Sequence, residues 1–246
     1  MKLIHHLGGY YLLMARVFSK PEKLSIYKRQ FFVEVEKLGM GSLGIVAIIS
    51  VFMGAVITIQ AAFGFESPWI PIYAVGMTTR DSIILEFSPA IVSLILAGKV
   101  GSNVASEIGT MKVSEQIDAM EIMGLNSASF LILPKMVASI FINPFLIVIS
   151  MFLGILGGYI FGVATGVVTP YEYMYGIQMD FRPFNVTYAL IKTAVFAFII
   201  TSVSAYHGYK TKGGALEVGQ SSTKAVVYSS IVILIFNLII TQLLLA

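Results

Sequence analysis

The sequence predicts an all-α integral membrane protein with five transmembrane helices, an N-terminal interfacial helix and a short surface helix between spans 2 and 3. Three observations lead there. Of its 246 residues 57% are hydrophobic and 12% are charged, and the mean hydropathy is +0.86, whereas charged residues alone make up about a quarter of an ordinary soluble domain. Apolar runs long enough to cross about 30 Å of hydrocarbon at about 1.5 Å per residue recur along the chain. The basic residues gather beside those runs on alternate connections, as a fixed orientation across a membrane requires. The net charge of +3 therefore speaks of orientation and anionic lipid, not nucleic acid. With no cysteine there is no disulfide, no thiolate metal site and no cysteine nucleophile.

Residues 3 to 18 place Leu3, Ile4, Leu7, Tyr11, Met14 and Phe18 at helical spacing with Lys2, Arg16 and Lys20 around them. This is the pattern of a helix lying in the headgroup region. His5, His6 and Arg16 interrupt the apolar segment and no small-residue cleavage site follows, so it does not read as a signal peptide. The two histidines read as interfacial polar residues, not metal ligands, because no carboxylate or cysteine is near in sequence. A polar connector is expected from Ser19 to Lys37, and its Lys20, Lys23, Lys28, Arg29 and Lys37 mark the cytoplasmic side.

Leu43 to Phe63 is the first crossing, and Gly64 to Pro71, with Trp69 and Tyr73, suits the far interface. Ser82 to Leu96 is the second crossing and carries both Pro89 and Glu86. A carboxylate within a span is costly unless it faces protein, water or a ligand, which makes Glu86 a candidate functional residue. In sequence its charge has no obvious local partner.

The polar stretch Gly98 to Asn126 returns the chain to the cytoplasm and divides into two halves. In the first, Ala97, Gly101, Ala105 and Gly109 stand four residues apart, a row of small side chains on one helix face where another backbone can come close. In the second, Ser114 is expected as an N-cap, Glu115 and Asp118 occupy the first turn, and Gly124 suits the left-handed terminator onto which Leu125 folds back toward Met120. Val113, Ile117, Met120 and Gly124 fall on one side of this helix and Glu115, Asp118 and Glu121 on the other. It should lie at the membrane surface with its acids outward, which by itself is also the pattern of a plain solvated face.

Met136 to Val168 is too long for one straight span and short for two with a turn. Lys135 on one side and Lys210, Lys212 and Lys224 on the other must be separated by an even number of crossings. A long third span and a fourth, Phe184 to Tyr206, satisfy this. Pro144 would kink the third, and Gly154, Gly157 and Gly158 would let it bend or pack closely. Thr169 to Pro183 is the outer loop, Lys192 an awkward occupant of the fourth span that snorkels or faces the bundle, with a lipid-headgroup contact as the alternative, His207 to Thr223 a glycine-rich inner loop, and Ala225 to Ala246 the fifth span. All sixteen basic residues except Arg80, Arg182 and Lys192 then fall on the inner side.

No phosphate-binding G-x-x-x-x-G-K-[ST] is present: Ser93 stands where the first glycine before Gly98-Lys99 would be, and Val100 where the hydroxyl would be. No G-x-S-x-G elbow is present, and three histidines, at 5, 6 and 207, leave little for acid–base work. These absences speak against an enzyme and against ATP binding by this chain.

The run AGKVGSNVASEIGTMKVSEQIDAMEIMG resembles the signature of the MlaE/YrbE permeases, the membrane subunits of ABC transporters that move phospholipid together with MCE-domain proteins. Length and hydrophobic layout match over nearly the whole chain. Departures are Leu85 and Lys99 where that pattern has arginine, and Ser88 where it has glycine. The resemblance implies that 1–246 is a single permease domain, with 1–37 as interfacial helix and connector and 42–246 as the five-span region. It further implies a homodimer, a separate ATPase subunit that binds ATP and Mg, an MCE-domain periplasmic partner and a phospholipid substrate, with no cofactor in this chain. The short helix becomes the cytoplasmic coupling helix that seats Ser114, Glu115, Gln116, Asp118, Met120 and Glu121 on the ATPase, and Glu86 a residue lining the lipid path. The setting implied is the inner membrane of a Gram-negative bacterium, N-terminus cytoplasmic and C-terminus periplasmic. The leading alternative is an ion-gradient-driven secondary transporter with Glu86 as proton carrier.

Overall fold

The computed structural model describes residues 2–19, 24–65 and 69–245. Among these residues the chain is helical and holds no strand. Its helices are α1 (Lys2–Phe18), α2 (Leu24–Gly64), α3 (Tyr73–Val113), α4 (Gln116–Ile122), α5 (Ser127–Ala164), α6 (Pro170–Gln178), α7 (Pro183–Tyr209) and α8 (Ala215–Leu245). Of these, α2, α3, α5, α7 and α8 are long and apolar enough to cross a membrane, as the sequence leads one to expect.

Boundaries differ from expectation wherever charged residues ride on helices. The polar connector is helical from Leu24 and runs without a break into the first span, so Lys28, Arg29 and Lys37 project from α2 itself, while Lys20 and Lys23 lie outside the described residues. The inner loop shrinks to residues 210–214, because α7 continues to Tyr209 and α8 starts at Ala215, where Glu217 accepts a hydrogen bond from the Gly214 N–H at 2.8 Å. The outer loop contains α6, opened by a capping box: Thr169 Oγ1 accepts from the Glu172 N–H while the Glu172 carboxylate reaches back to the Thr169 N–H, with Pro170 at the first helical position. Helix α5 passes through both Pro134 and Pro144 as one element.

Helix α3 carries two widened π-type stretches, Ile83–Ile91 and Ala97–Gly101. Pro89 accounts for the first: it has no N–H to give to the Leu85 carbonyl one turn back, and its ring clashes with that carbonyl in a regular α-helix.

The chain divides into two compact units. The first comprises Met1–Ser42, Leu94–Asn143 and Ala194–Ala246, the second Leu43–Ser93 and Pro144–Thr193. In the first unit α1 buries Leu13, Met14 and Val17 and leaves Leu7, Tyr11, Leu12 and Phe18 exposed. Two long-range bonds anchor it: Tyr10 Oη donates to Ser202 Oγ at 2.8 Å, and His6 Nδ1 and Tyr206 Oη share a hydrogen bond at 3.1 Å. Burial pushes the Tyr10 hydroxyl pKa up, the bond to Ser202 opposing it.

The second unit is built on close backbone approach. A methyl group on Gly54 would overlap the Gly154 carbonyl, and one on Gly157 the Val51 carbonyl, so α2 and α5 meet where neither can carry a side chain. Beside this seam Ser50 Oγ lies 2.6 Å from the Val46 carbonyl and 2.8 Å from Ser150 Oγ, which in turn lies 3.0 Å from Ser88 Oγ. Tyr173 of α6 is fully buried among Val75, Val168, Ile155 and Tyr159, and its hydroxyl donates to the Ile155 carbonyl at 3.0 Å. Burial raises the pKa of that phenol to about 12.

Candidate functional site

In the first unit the polar stretch after the small-residue row folds as α4, joined to α3 by Ser114 and Glu115 alone. Ser114 is not its N-cap. With φ −85° and ψ 12° it is not in the extended conformation a cap needs, and its Oγ donates backward to the Thr110 carbonyl at 2.8 Å, closing α3 instead. Glu115 takes the left-handed conformation at φ 61°, a cost of roughly 1–2 kcal/mol for a residue with a Cβ, and that makes the turn. The far end follows expectation: Gly124 has φ +80°, its N–H reaches the Glu121 carbonyl and the Leu125 N–H the Met120 carbonyl, the paired bonds of a Schellman stop.

The acids of α4 and its flank are exposed or half-exposed, and two of them also make contacts within the chain. Glu121 Oε1 accepts from Tyr209 Oη at 2.7 Å, from Arg16 Nη2 at 2.9 Å and from Ser127 Oγ at 2.9 Å. The Tyr209 bond above all, helped by Ser127 and Arg16, holds its carboxyl below the usual range. Asn126 adds bonds from its Nδ2 to the Arg16 and Ser19 carbonyls. Asp118 pairs with Lys112. Ile117 is fully buried and Met120 half-buried. Around α4 the exposed residues are Glu115, Gln116, Ala119 and Glu121, with the Asp118 side chain half-exposed, together with two apolar side chains that the sequence reading passed over, Ile122 at 88% and Met123 at 69% exposed. The signal was present as two apolar residues directly before the terminating glycine, but their outward direction depends on where Ile117 packs.

The small-residue row lies on the inner side of α3. Ala97 and Ala105 are fully buried, and a Cβ on Gly101 would stand 2.8 Å from Ser204 Oγ of α7. A Cβ on Gly109 would stand 3.2 Å from Thr211 Oγ1 and 3.3 Å from Val218 Cγ1 of α8. From the other direction, a Cβ on Gly208 would sit 2.6 Å from the Ala105 carbonyl. Near this contact Lys135 of α5, almost fully buried, donates to Glu107 Oε1 at 2.9 Å and to Glu34 Oε1, and the second oxygen of Glu107 accepts from Lys37.

In the second unit the partner missing from the neighbourhood of Glu86 is Lys192. Its Nζ is fully buried and donates to Glu86 Oε1 at 2.9 Å and to Tyr188 Oη at 2.8 Å. It also lies 3.4 Å from the Leu85 carbonyl, the oxygen that Pro89 leaves without its α-helical donor. Lys192 thus turns inward rather than snorkelling, while the Glu86 side chain remains 49% exposed. His6 is engaged with Tyr206, and the described residues contain no cluster of three or more histidines and acids that could hold a metal.

Five membrane-length helices, a short polar helix after the second and a buried lysine paired with a half-exposed carboxylate within a span describe a transport subunit better than a soluble catalyst. Residues 31–243 match the permease family MlaE. The chain belongs to the MlaE permease family. It is 34% identical to a probable ABC transporter permease of Rickettsia bellii over 99% of this chain and 93% of that one. It is 32% identical to the chloroplastic protein TRIGALACTOSYLDIACYLGLYCEROL 1 of Arabidopsis thaliana, over 94% of this chain and 66% of that one. It is 26% identical to the intermembrane phospholipid transport system permease MlaE of Haemophilus influenzae, over 94% and 88%. For an MlaE-family permease, transport is what the geometry has to explain.

Proposed function

We propose that this chain is the membrane-spanning subunit of an ABC transporter that moves phospholipid between the inner and outer membranes of a Gram-negative bacterium. It works as a homodimer with two copies of a separate ATPase and with an MCE-domain periplasmic protein. The observation that carries this reading is the family match over residues 31–243, and the likeness to a phospholipid transport permease supports the substrate. In this reading residues 1–246 are one permease domain, α1 lies in the headgroup layer, the N-terminus is cytoplasmic and the C-terminus periplasmic, as the distribution of lysine and arginine favours. ATP and Mg²⁺ are held by the ATPase.

Helix α4 is the coupling helix. Its surface of Glu115, Gln116, Ile122 and Met123 enters a cleft of the ATPase, while Ser114, Asp118, Met120 and Glu121 hold the helix in position. Apolar residues exposed next to acids suit such a seat, with the apolar pair as anchors and the rim charge steering the approach. Closure of the ATPases displaces α4, tilts the spans and reshapes a lipid cavity between the two permeases, with Glu86 on the lipid path.

Two measurements test this. Glu115→Lys with Ile122→Asp should abolish co-purification of the ATPase while the permease remains in the membrane; unchanged co-purification removes α4 from the role. In proteoliposomes lipid movement should require the ATPase and ATP and survive collapse of the proton gradient. Movement that needs the gradient and no ATPase would replace this reading by a secondary transporter.

A further inference from the structure

A cleft of about 330 Å³ in the first unit opens between α1, the end of α3 and the connection from α7 to α8. Four cations line it, Arg16, Lys112, Lys210 and Lys212. They come from three segments far apart in sequence, so folding, not a local run of charge, brings them together. Glu121 and Asp118 partly neutralise Arg16 and Lys112. Among the described residues Lys210 and Lys212 form no ion pair, and Lys210 Nζ stands 5.1 Å from the centre of the Tyr206 ring. The cleft therefore holds more positive charge than its own acids balance. Leu12 shares its lining and is 69% exposed, one of an exposed apolar set on α1 with Leu7, Tyr11 and Phe18.

Excess cations on one side and exposed apolar side chains on the other match one kind of molecule, a phosphate joined to hydrocarbon. We propose that this cleft binds the phosphate headgroup of an anionic phospholipid, whose acyl chains lie along the exposed face of α1. A basic pocket beside an amphipathic helix is the arrangement expected to read such headgroups. The volume fits a headgroup, being at the low end of the roughly 300–1,000 Å³ of small-molecule sites. A free phosphate would make no use of Leu12 or Tyr11. The site uses neither Glu86 nor the transport cycle, so its failure and the failure of the transport reading are separate events.

The full chain in detergent is titrated with dihexanoyl phosphatidylglycerol, dihexanoyl phosphatidylcholine or inorganic phosphate, and bound species are counted by native mass spectrometry. Phosphatidylglycerol should bind, more weakly as salt rises, and phosphatidylcholine should not. Lys210→Gln with Lys212→Gln should weaken phosphatidylglycerol binding roughly twenty- to thirtyfold, taking about fivefold for each cation near a headgroup, and Lys210→Arg with Lys212→Arg should preserve it. Thermal melting of the same samples reports folding; if the double variant is unfolded, Lys212→Gln alone should show the fivefold loss. Equal binding by the glutamine variant, or phosphatidylcholine bound as tightly as phosphatidylglycerol, overturns the proposal. Inorganic phosphate bound as tightly as the lipid makes this a free-anion site, and glutamine variants that lose only the ATPase make it a protein contact; either result also overturns it.

Discussion

Lys135 in the first unit and Lys192 in the second are both buried in apolar helices, and they meet the cost of burial with different resources. Lys135 sits in a row of alternating sign, Glu34, Lys135, Glu107 and Lys37, so two carboxylates share it and one of them is itself shared. Lys192 pairs with the Glu86 carboxylate and also meets neutral oxygens of Tyr188 and Leu85. A buried charge tolerates the loss of one partner only if another remains. The first unit has such reserve. The second surrounds its lysine with the Glu86 carboxylate and neutral oxygens instead, and its backbone seam between α2 and α5 is unforgiving.

The steepest test of that contrast is steric. Gly157→Leu should leave almost no monodisperse protein after purification, because the Val51 carbonyl occupies the space of even a Cβ. Gly101→Leu in the first unit meets the end of the Ser204 side chain, which can turn aside, and should reduce the thermal midpoint without abolishing the fold. Next comes charge. Glu86→Gln should destabilise the folded state by about 2 kcal/mol, below the range for breaking a fully buried pair, because the Glu86 side chain is half-exposed and glutamine still offers an acceptor. Glu86→Gln with Lys192→Met should recover most of that loss, and a double variant no better than the single would show that the lysine is not what suffers. Glu107→Gln should cost about 1 kcal/mol or less, because Lys135 keeps Glu34. Equal losses from Glu86→Gln and Glu107→Gln would erase the contrast between the two lysines.

The smallest effect concerns pH. Glu121 titrates below the usual carboxylate range in the folded chain, so its contribution is fully present above the unfolded value. It is lost as pH falls through the lower, folded value. Because the pair with Arg16 is partly exposed and screened, the amount should stay under about 1 kcal/mol. Melting curves recorded from neutral pH down through the carboxylate range should show a fall that Glu121→Gln lacks.

The five spans and the stop after α4 were legible because hydropathy and a left-handed glycine are local signals. The row Ala97, Gly101, Ala105 and Gly109 showed from spacing alone that one face of α3 is small, although not that Ser204, Thr211 and Val218 are what it meets. Helix α6 was legible in principle: Thr169, Pro170 and Glu172 spell a capping box, but the aromatic and polar residues around and after them read as loop. The charged start of α2 misled for a related reason, since lysine and glutamate favour helix and also mark interfaces. The Glu86 partner of Lys192 and the Glu34 partner of Lys135 lie 106 and 101 residues away in the chain, and Glu107, the other partner of Lys135, lies 28 away. No local pattern points from one to the other, and only the packing of helices supplies the pairing.

The join between α3 and α4 has a mechanical consequence. Ser114 and Glu115 are all that separate the helices, and two residues reach at most about 7 Å when fully stretched. Both ends of that link are pinned, Ser114 to Thr110 and Glu115 by its left-handed turn, while Glu121 is tethered to Arg16 of α1 and Tyr209 of α7. There is no slack in which a load applied at Ile122 and Met123 could dissipate. In the role proposed for α4, such a load would be delivered as torque to three helices at once, and α4 would act as the short arm of a lever, not as a pad on a flexible stalk.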